Sequence, residues 1–128
     1  MLKFRLPVAP PLNNAYLNVR GHGRTKSPRY RAWLRDADAH YVLQALGRYK
    51  KVTGPYTCRM VFPKGLRGDI DGRGKLVLDW LVSRNLTVDD SHCWGLFLER
   101  GDSPDGIAQI EVAPYAESFD AGRPRAVA

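Results

Sequence analysis

Aspartate residues recur between residues 69 and 90 at positions that could hold a divalent cation. Asp69 and Asp71 stand two apart, and Asp89 and Asp90 form a pair further along the chain. Several carboxylates at one place repel each other and raise each other's pKa, and a divalent cation removes that penalty. Magnesium favours octahedral oxygen ligation by one or two carboxylates together with water and substrate phosphate. The pattern therefore indicates a metal-dependent reaction at a phosphate, in which the cation polarises the scissile bond.

A lysine and a further aspartate follow at helical spacing. If a helix begins near Asp71, then Asp71, Lys75 and Asp79 lie at i, i+4 and i+8 on one of its faces. Asp69 and Asp71, two apart in an extended segment, would point the same way. Tertiary folding would have to bring the later aspartate pair back to the start of this helix. A lysine in that place could neutralise charge on the pentacovalent transition state of phosphate hydrolysis.

The same residues also admit a purely structural interpretation. Acidic residues in the first turn of a helix complement its dipole. Asp79 could serve only as the ion-pair partner of Lys75, and the later aspartate pair could simply form a turn. Spacing alone leaves the metal site and this structural alternative both open.

Two other motifs with similar residues are excluded. An EF-hand that began at Asp69 would have Arg73 at its fifth position and Trp80 where a bidentate glutamate is required. A phosphate-binding P-loop needs serine or threonine directly after its lysine, whereas Leu76 follows Lys75. The acidic segment is therefore neither a calcium loop nor a nucleotide-binding loop.

Basic residues outnumber acidic ones, 20 against 13, which gives a formal net charge of +7. They concentrate in the first 51 residues, while the carboxylates gather later in the chain. Such a basic segment suits phosphate contacts, and counterion release would make DNA binding weaken steeply with salt. The alternative is a solvated loop. The predicted DNA-binding cations are Arg20, Arg24, Lys26, Arg29, Arg31, Lys64 and Arg67.

Hydrophobic periodicity predicts the element order β-α-β-α-β-β, which is an α/β or α+β fold. Ser27 followed by Pro28 predicts the start of the first helix, since a hydroxyl at the N-cap precedes proline at the first helical position. The predicted strands are Leu2–Val8, Tyr56–Phe62, Trp94–Glu99 and Ile107–Ala113, and the predicted helices run from Pro28 to a stop at Gly47 and from about Arg73 to Arg84. Leu12–Lys26 is predicted to be a loop, and Arg100–Gly106 a hairpin-type connection between the last two strands.

The chain is predicted to form one domain over residues 1–115, with a flexible tail at 116–128. The three tryptophans, which are Trp33, Trp80 and Trp94, are expected in the core because they lie on apolar faces. His92 could support Asp90 or be an ordinary surface histidine. The two cysteines form neither a metal set nor a disulfide framework, and no signal sequence is seen, which predicts a soluble cytoplasmic protein.

Taken together, these motifs resemble the RusA-type Holliday junction resolvases over roughly Leu2–Val112. The segment Pro10–Tyr16 is similar to the family's proline, asparagine and tyrosine motif, and Gly23–Thr25 with Ser27 is similar to its basic loop. The most specific part of the match has no gap and comprises Asp69, Asp71, Lys75, Asp79, Asp89 and Asp90.

The resemblance implies roles for these residues. In that family both aspartates of the Asp-x-Asp motif and the second aspartate of the later pair bind the metal, and one lysine is essential. By this match Asp69, Asp71 and Asp90 would be metal ligands and Lys75 the essential lysine, so these four would be the catalytic residues. Asp79 and Asp89 would support them.

The implied protein is a homodimer with a small mixed sheet and two main helices. It would be a Mg²⁺-dependent endonuclease, with Mn²⁺ as a possible substitute, that resolves four-way DNA junctions by paired symmetric cuts in recombination and repair. A bacterium or a phage would encode it.

The sequence departs from the family at Gly72, where the family has asparagine. The alternative function is therefore a non-catalytic protein of the same fold that binds branched DNA. A metal nuclease without junction preference is a third.

Overall fold

Two helices pack on a small mixed sheet, with a separate two-stranded hairpin beside them. The computed structural model describes residues 1–21 and 23–116. Its strands are β1 (Leu2–Pro7), β2 (Tyr16–Val19), β3 (Gly23–Lys26), β4 (Tyr56–Pro63), β5 (Cys93–Gly101) and β6 (Ile107–Pro114), and its helices are α1 (Pro28–Leu43) and α2 (Asp71–Ser83). The predicted α+β class is confirmed.

The four-stranded sheet has the order β1-β6-β4-β5, with β4 and β5 parallel and the other neighbours antiparallel. A parallel pair needs a crossover connection, and α2 provides it between β4 and β5. The predicted hairpin between the last two strands is therefore wrong. β6 instead lies between β1 and β4, and its residues Ala108, Ile110 and Val112 are buried on one face of the sheet.

The predicted loop Leu12–Lys26 is also partly wrong, because it contains the hairpin of β2 and β3. The two strands pair from Tyr16 opposite Lys26 to Val19 opposite Gly23. Their residues are mostly exposed, including the apolar Leu17 and Val19, so the hairpin lacks the buried face that reveals a half-buried strand. The basic segment is consequently an ordered ribbon over most of its length.

The helix boundaries follow local capping. Ser27 accepts a hydrogen bond from the Tyr30 backbone N–H at 3.1 Å and caps α1, as predicted. The helix ends at Leu43, before the predicted stop at Gly47, because Ala45 adopts a left-handed conformation with φ 53°. The second helix begins at Asp71, two residues before its predicted start.

The predicted core is right for two of the three tryptophans. Trp33 and Trp80 are buried, whereas 62% of Trp94 is exposed. Trp94 lies at a register shift on β5, whose only neighbour among the described strands is β4. Its ring packs on Tyr115 with centroids 5.3 Å apart. The apolar pattern predicted a strand correctly, but an edge strand leaves part of that pattern in solvent.

Asp38 joins the two helices. Its carboxylate accepts a hydrogen bond from Trp80 Nε1 at 3.1 Å and lies 3.7 Å from the Arg84 guanidinium. No helix within residues 1–21 and 23–116 is long and apolar enough to cross a membrane. The predicted tail, 116–128, lies outside the described residues from 117 onward.

Replacing Ser27 with alanine should lower the free energy of unfolding by about 1–2 kcal/mol, since an N-cap hydroxyl contributes roughly that much. The Ser27 hydroxyl is buried, and it also donates to the Asn14 carbonyl at 2.7 Å. Urea denaturation measures the change. Ser83→Ala is the matched control, because that exposed hydroxyl bonds only within its own helix. Equal destabilisation by both substitutions would contradict the assigned role of Ser27.

Candidate acidic site and basic hairpin

Asp69 and Asp71 lie where the chain turns into α2. Asp71 is the first residue of the helix, and Ile70 before it already has helical backbone angles, with φ −93° and ψ −20°. The two aspartates are therefore not two residues of an extended segment, and that basis for their common direction was wrong. Both are exposed, and neither carboxylate forms a hydrogen bond or salt bridge with the part of the chain that the structure describes.

Lys75 gathers two carboxylates one turn further along the helix. Its ammonium lies 3.1 Å from Asp79 and also contacts Asp90. The hydrogen bond to Asp90, and then the bond and charge of Asp79, raise the pKa of Lys75. The predicted helix face of Asp71, Lys75 and Asp79 is thus confirmed, and tertiary folding does bring Asp90 to it. About half of the Lys75 side chain remains exposed to solvent.

Asp89 caps a short 3-10 turn, Asp90–His92. Its carboxylate accepts from the Ser91 backbone N–H at 3.3 Å. A hydrogen bond with the Asp90 side chain, and then the bonds to Ser91, lower the pKa of Asp89. His92 is half-buried, with its Nδ1 lacking a hydrogen-bond partner among the described residues. Asp89 therefore helps to shape the turn that presents Asp90.

The donor chemistry of this region fits a hard divalent cation, since Asp69, Asp71 and Asp90 offer carboxylate oxygens and Mg²⁺ prefers oxygen ligands. Within residues 1–21 and 23–116, however, no three His, Cys, Asp or Glu side chains are grouped so that they could hold a metal ion. Asp90 is instead occupied by the ammonium of Lys75. The metal site predicted from the spacing remains a prediction.

A buried arginine that sequence reasoning overlooked fixes the backbone beside the aspartates. Arg73 is only 5% exposed. It donates to the carbonyl oxygens of Ala9 at 2.8 Å, Arg67 at 3.0 Å and Asp69 at 3.0 Å. Burial, followed by the charges of two nearby arginines, lowers its pKa. An arginine nevertheless keeps its charge at neutral pH.

The signal for this residue was its position on α2. Arg73 stands four residues before Val77 and seven before Trp80, both buried, and so it lies on the apolar stripe of the helix. A charged residue on such a stripe has to be paired or fully hydrogen-bonded. That reasoning could have marked Arg73 before the structure was known.

The predicted DNA-binding cations fall into two groups, and all are exposed. Arg24 and Lys26 lie on β3, Arg20 lies in the turn before it, and Arg29 and Arg31 lie in the first turn of α1. The Arg24 guanidinium stacks 4.2 Å from the centre of the Tyr16 ring. The second group, Lys64 and Arg67, lies in the turn after β4, where Lys64 is 3.2 Å from Asp102.

A cleft of about 430 Å³ separates the hairpin from α2. Lys26 and Tyr16 line it from the hairpin, and Asp79 lines it from α2. Asp79, which contacts Lys75, is the carboxylate of the acidic cluster that lines this cleft. One cation of the hairpin and one carboxylate of the acidic cluster therefore line the same cleft.

Gly72 is tightly packed, which bears on the departure from the RusA-type pattern. A Cβ atom at this position would lie 2.8 Å from Leu12 Cβ and 3.2 Å from the Leu12 backbone nitrogen. Real Cβ atoms essentially never come within 3.0 Å of another group. An asparagine therefore does not fit at position 72 while Leu12 keeps its place.

Gly72→Asn should lower the free energy of unfolding by about 1–3 kcal/mol, as overpacking does in a filled site. Chemical denaturation tests this. Gly54→Asn is the matched control, because a Cβ at Gly54 would meet no atom within 4 Å. A Gly72→Asn protein as stable as the wild type would show that Leu12 moves aside without cost.

A comparison of the chain with protein-family models gives no match, and neither does a comparison with curated proteins. The resemblance to the RusA-type resolvases therefore depends on the quoted residues alone, above all on Asp69, Asp71, Lys75, Asp79 and Asp90. The site is defined by its own geometry: an exposed aspartate pair at the start of α2, a lysine that holds two further carboxylates, and a basic hairpin across one cleft.

Proposed function

We propose that this chain is a Mg²⁺-dependent endonuclease, selective for four-way DNA junctions, that acts as a homodimer. The observation that carries the proposal is the cleft with Lys26 on one side and Asp79 on the other. Exposed cations on the hairpin would attract the phosphate backbone. A backbone held there would pass close to Lys75 and Asp90. Binding and chemistry would thus share one continuous surface.

The residues of the acidic site would divide the work. Asp69, Asp71 and Asp90 would hold Mg²⁺, or Mn²⁺ in vitro, and the bound cation would polarise the phosphate and supply a metal-activated hydroxide. Lys75, beside Asp90, would neutralise charge that develops on the phosphate oxygens. Asp79 is the second carboxylate on Lys75. It would therefore keep the ammonium in place when Asp90 serves as a ligand.

The partner would be a second copy of the chain. Resolving a four-way junction requires two symmetric cuts, and a twofold dimer presents the same site twice. The products would carry 5′-phosphate and 3′-hydroxyl ends, as the resemblance implies. Cys58 and Cys93 are both free thiols, which suits a reducing compartment. The activity would therefore belong in the cytoplasm, and a bacterium or a phage would encode the protein.

A second candidate function is non-catalytic binding of branched DNA. The observation that favours it is the engagement of Asp90 by Lys75, together with the lack of a three-carboxylate group in the described residues. A protein that lost its chemistry would keep the basic hairpin and let the lysine neutralise the remaining carboxylates. This candidate predicts junction binding without cuts under any metal.

Asp71→Asn should abolish junction cleavage and leave junction binding intact, because it removes a ligand charge with almost no change of shape. Cleavage of a labelled four-way junction in Mg²⁺ measures the first effect, and binding without metal measures the second. The wild type should cut the junction by paired symmetric nicks and leave linear duplex of the same sequence whole.

The matched control for this experiment is Asp36→Asn, an exposed aspartate on α1 outside the site. It should cut at the wild-type rate. Full activity of Asp71→Asn would remove Asp71 from the site. Tight binding by the wild type with no nicks, in Mn²⁺ as in Mg²⁺, would favour the non-catalytic alternative, and cuts in linear duplex would show a nuclease without junction preference.

Alanine at both Arg24 and Lys26 should weaken junction binding and flatten its dependence on salt. Each lost phosphate contact reduces the slope of log K against log salt by about 0.9, so the double variant should lose nearly 2. Fluorescence anisotropy over a series of salt concentrations measures the slope.

The control for charge alone is alanine at both Lys3 and Lys50, which are exposed and lie outside the hairpin. This variant loses the same two charges and should keep most of the slope. Identical slopes in the two double variants would mean that net charge, rather than the hairpin, determines DNA binding.

A further inference from the structure

The turn that leads to Asp69 has four successive carbonyl oxygens, and two arginines take them alternately. Arg73 donates to the carbonyls of Arg67 and Asp69, each at 3.0 Å. Arg100, from β5, donates to the Gly68 carbonyl at 2.6 Å and also to the Leu66 carbonyl. The two guanidinium groups thus bind every backbone acceptor of the turn Leu66–Asp69.

Arg73 also connects this turn to the segment that follows β1. Its third bond, 2.8 Å long, reaches the Ala9 carbonyl just beyond β1. The guanidinium has no carboxylate partner among the described residues, so its charge is neutralised only by carbonyl dipoles. Burying a cation without an ion-pair partner is costly. The stability of one turn does not by itself explain why the protein buries an unpaired cation there.

We infer that Arg73 and Arg100 are positioning residues for Asp69 and Asp71: they form a clamp that fixes the turn Leu66–Asp69 so that both carboxylates are held ready for a divalent cation. This inference rests on the proposed function. It extends that function by two residues that hold the backbone of the turn and offer no ligand to the cation.

The backbone explains why the clamp acts on both aspartates. The carbonyl of Asp69 is itself bound by Arg73, and only Ile70 separates it from Asp71 at the start of α2. Gly68 adopts a left-handed conformation, with φ 86°, so the turn has a specific shape to be held. Outer-shell groups that orient metal ligands typically change metal affinity or activity by 10- to 100-fold.

The test compares Arg100→Met with Arg59→Met. Arg59 is the matched control, since it is an exposed strand arginine whose partner is Glu99 and not the turn. Hydrogen exchange without metal should be at least about 10-fold faster in peptides covering residues 66–71 of Arg100→Met and unchanged in Arg59→Met. Calorimetry should show a Kd for Mn²⁺ raised about 10-fold in Arg100→Met alone.

Cleavage assays separate positioning from a general loss of structure. Arg100→Met should need about 10-fold more Mg²⁺ for half-maximal cutting of the junction, and its rate at saturating metal should return to within about threefold of the wild type. Arg100→Lys retains a hydrogen-bond donor, so its Mg²⁺ requirement should lie between those of the wild type and Arg100→Met. Arg73→Met should show the larger effect, and Arg100→Met carries the test if Arg73→Met does not fold.

Two results would overturn the clamp. Unchanged hydrogen exchange in residues 66–71 of Arg100→Met would show that the arginines do not hold the turn. Faster exchange with wild-type Mn²⁺ affinity would show that the turn need not be held for metal binding. Failure of the proposed function looks different: the wild type itself would bind no Mn²⁺ and cut no junction, while the exchange data would still report whether the turn is clamped.

Discussion

A guanidinium group that is buried without a carboxylate must find oxygen acceptors in the backbone, and the fold around Arg73 is arranged to provide them. Its three bonds join the chain beyond β1, the turn after β4 and the first turn of α2. These segments contain Asp69 and Asp71, two of the three carboxylates that the proposed function assigns to the metal. The position of Asp69 and Asp71 therefore follows from a constraint in the core. A charge on the apolar stripe of α2 can be tolerated only while all these oxygen atoms stay in place.

Two further connections assemble the rest of the site: the crossover through α2 and the hydrogen bonds of Ser27. The crossover through α2 makes β4 and β5 parallel neighbours, which returns the chain to the helix and brings Asp90 to Lys75. The hairpin of β2 and β3 is held beside α1, because Ser27 caps that helix and also donates to the Asn14 carbonyl just before the hairpin. Residues of the hairpin and of both helices line one cleft.

Local signals in the sequence were sufficient for part of this arrangement. The cap at Ser27, the two main helices and the common face of Lys75 and Asp79 depend on residues a few positions apart, and spacing predicts such features well. Strand pairing was mispredicted, because the burial of β6 between two neighbours and the exposure of Trp94 depend on the whole sheet. The bonds of Arg73 reach as far as Ala9, and no local pattern contains that information. Whether Asp69, Asp71 and Asp90 converge on a cation depends on distances that spacing cannot supply.

Lys75 gives the acidic cluster a cation of its own. Small domains whose ligands come together only around a metal remain unfolded until the metal binds, so that their folding and their loading are one event. Here an ammonium already pairs with both Asp79 and Asp90, which reduces the repulsion between these two carboxylates in the apo chain. Under the proposed function, folding and loading become separate steps. At Asp90, metal binding would replace the Lys75 ammonium with a divalent cation. Chelators would therefore inactivate such a protein without unfolding it.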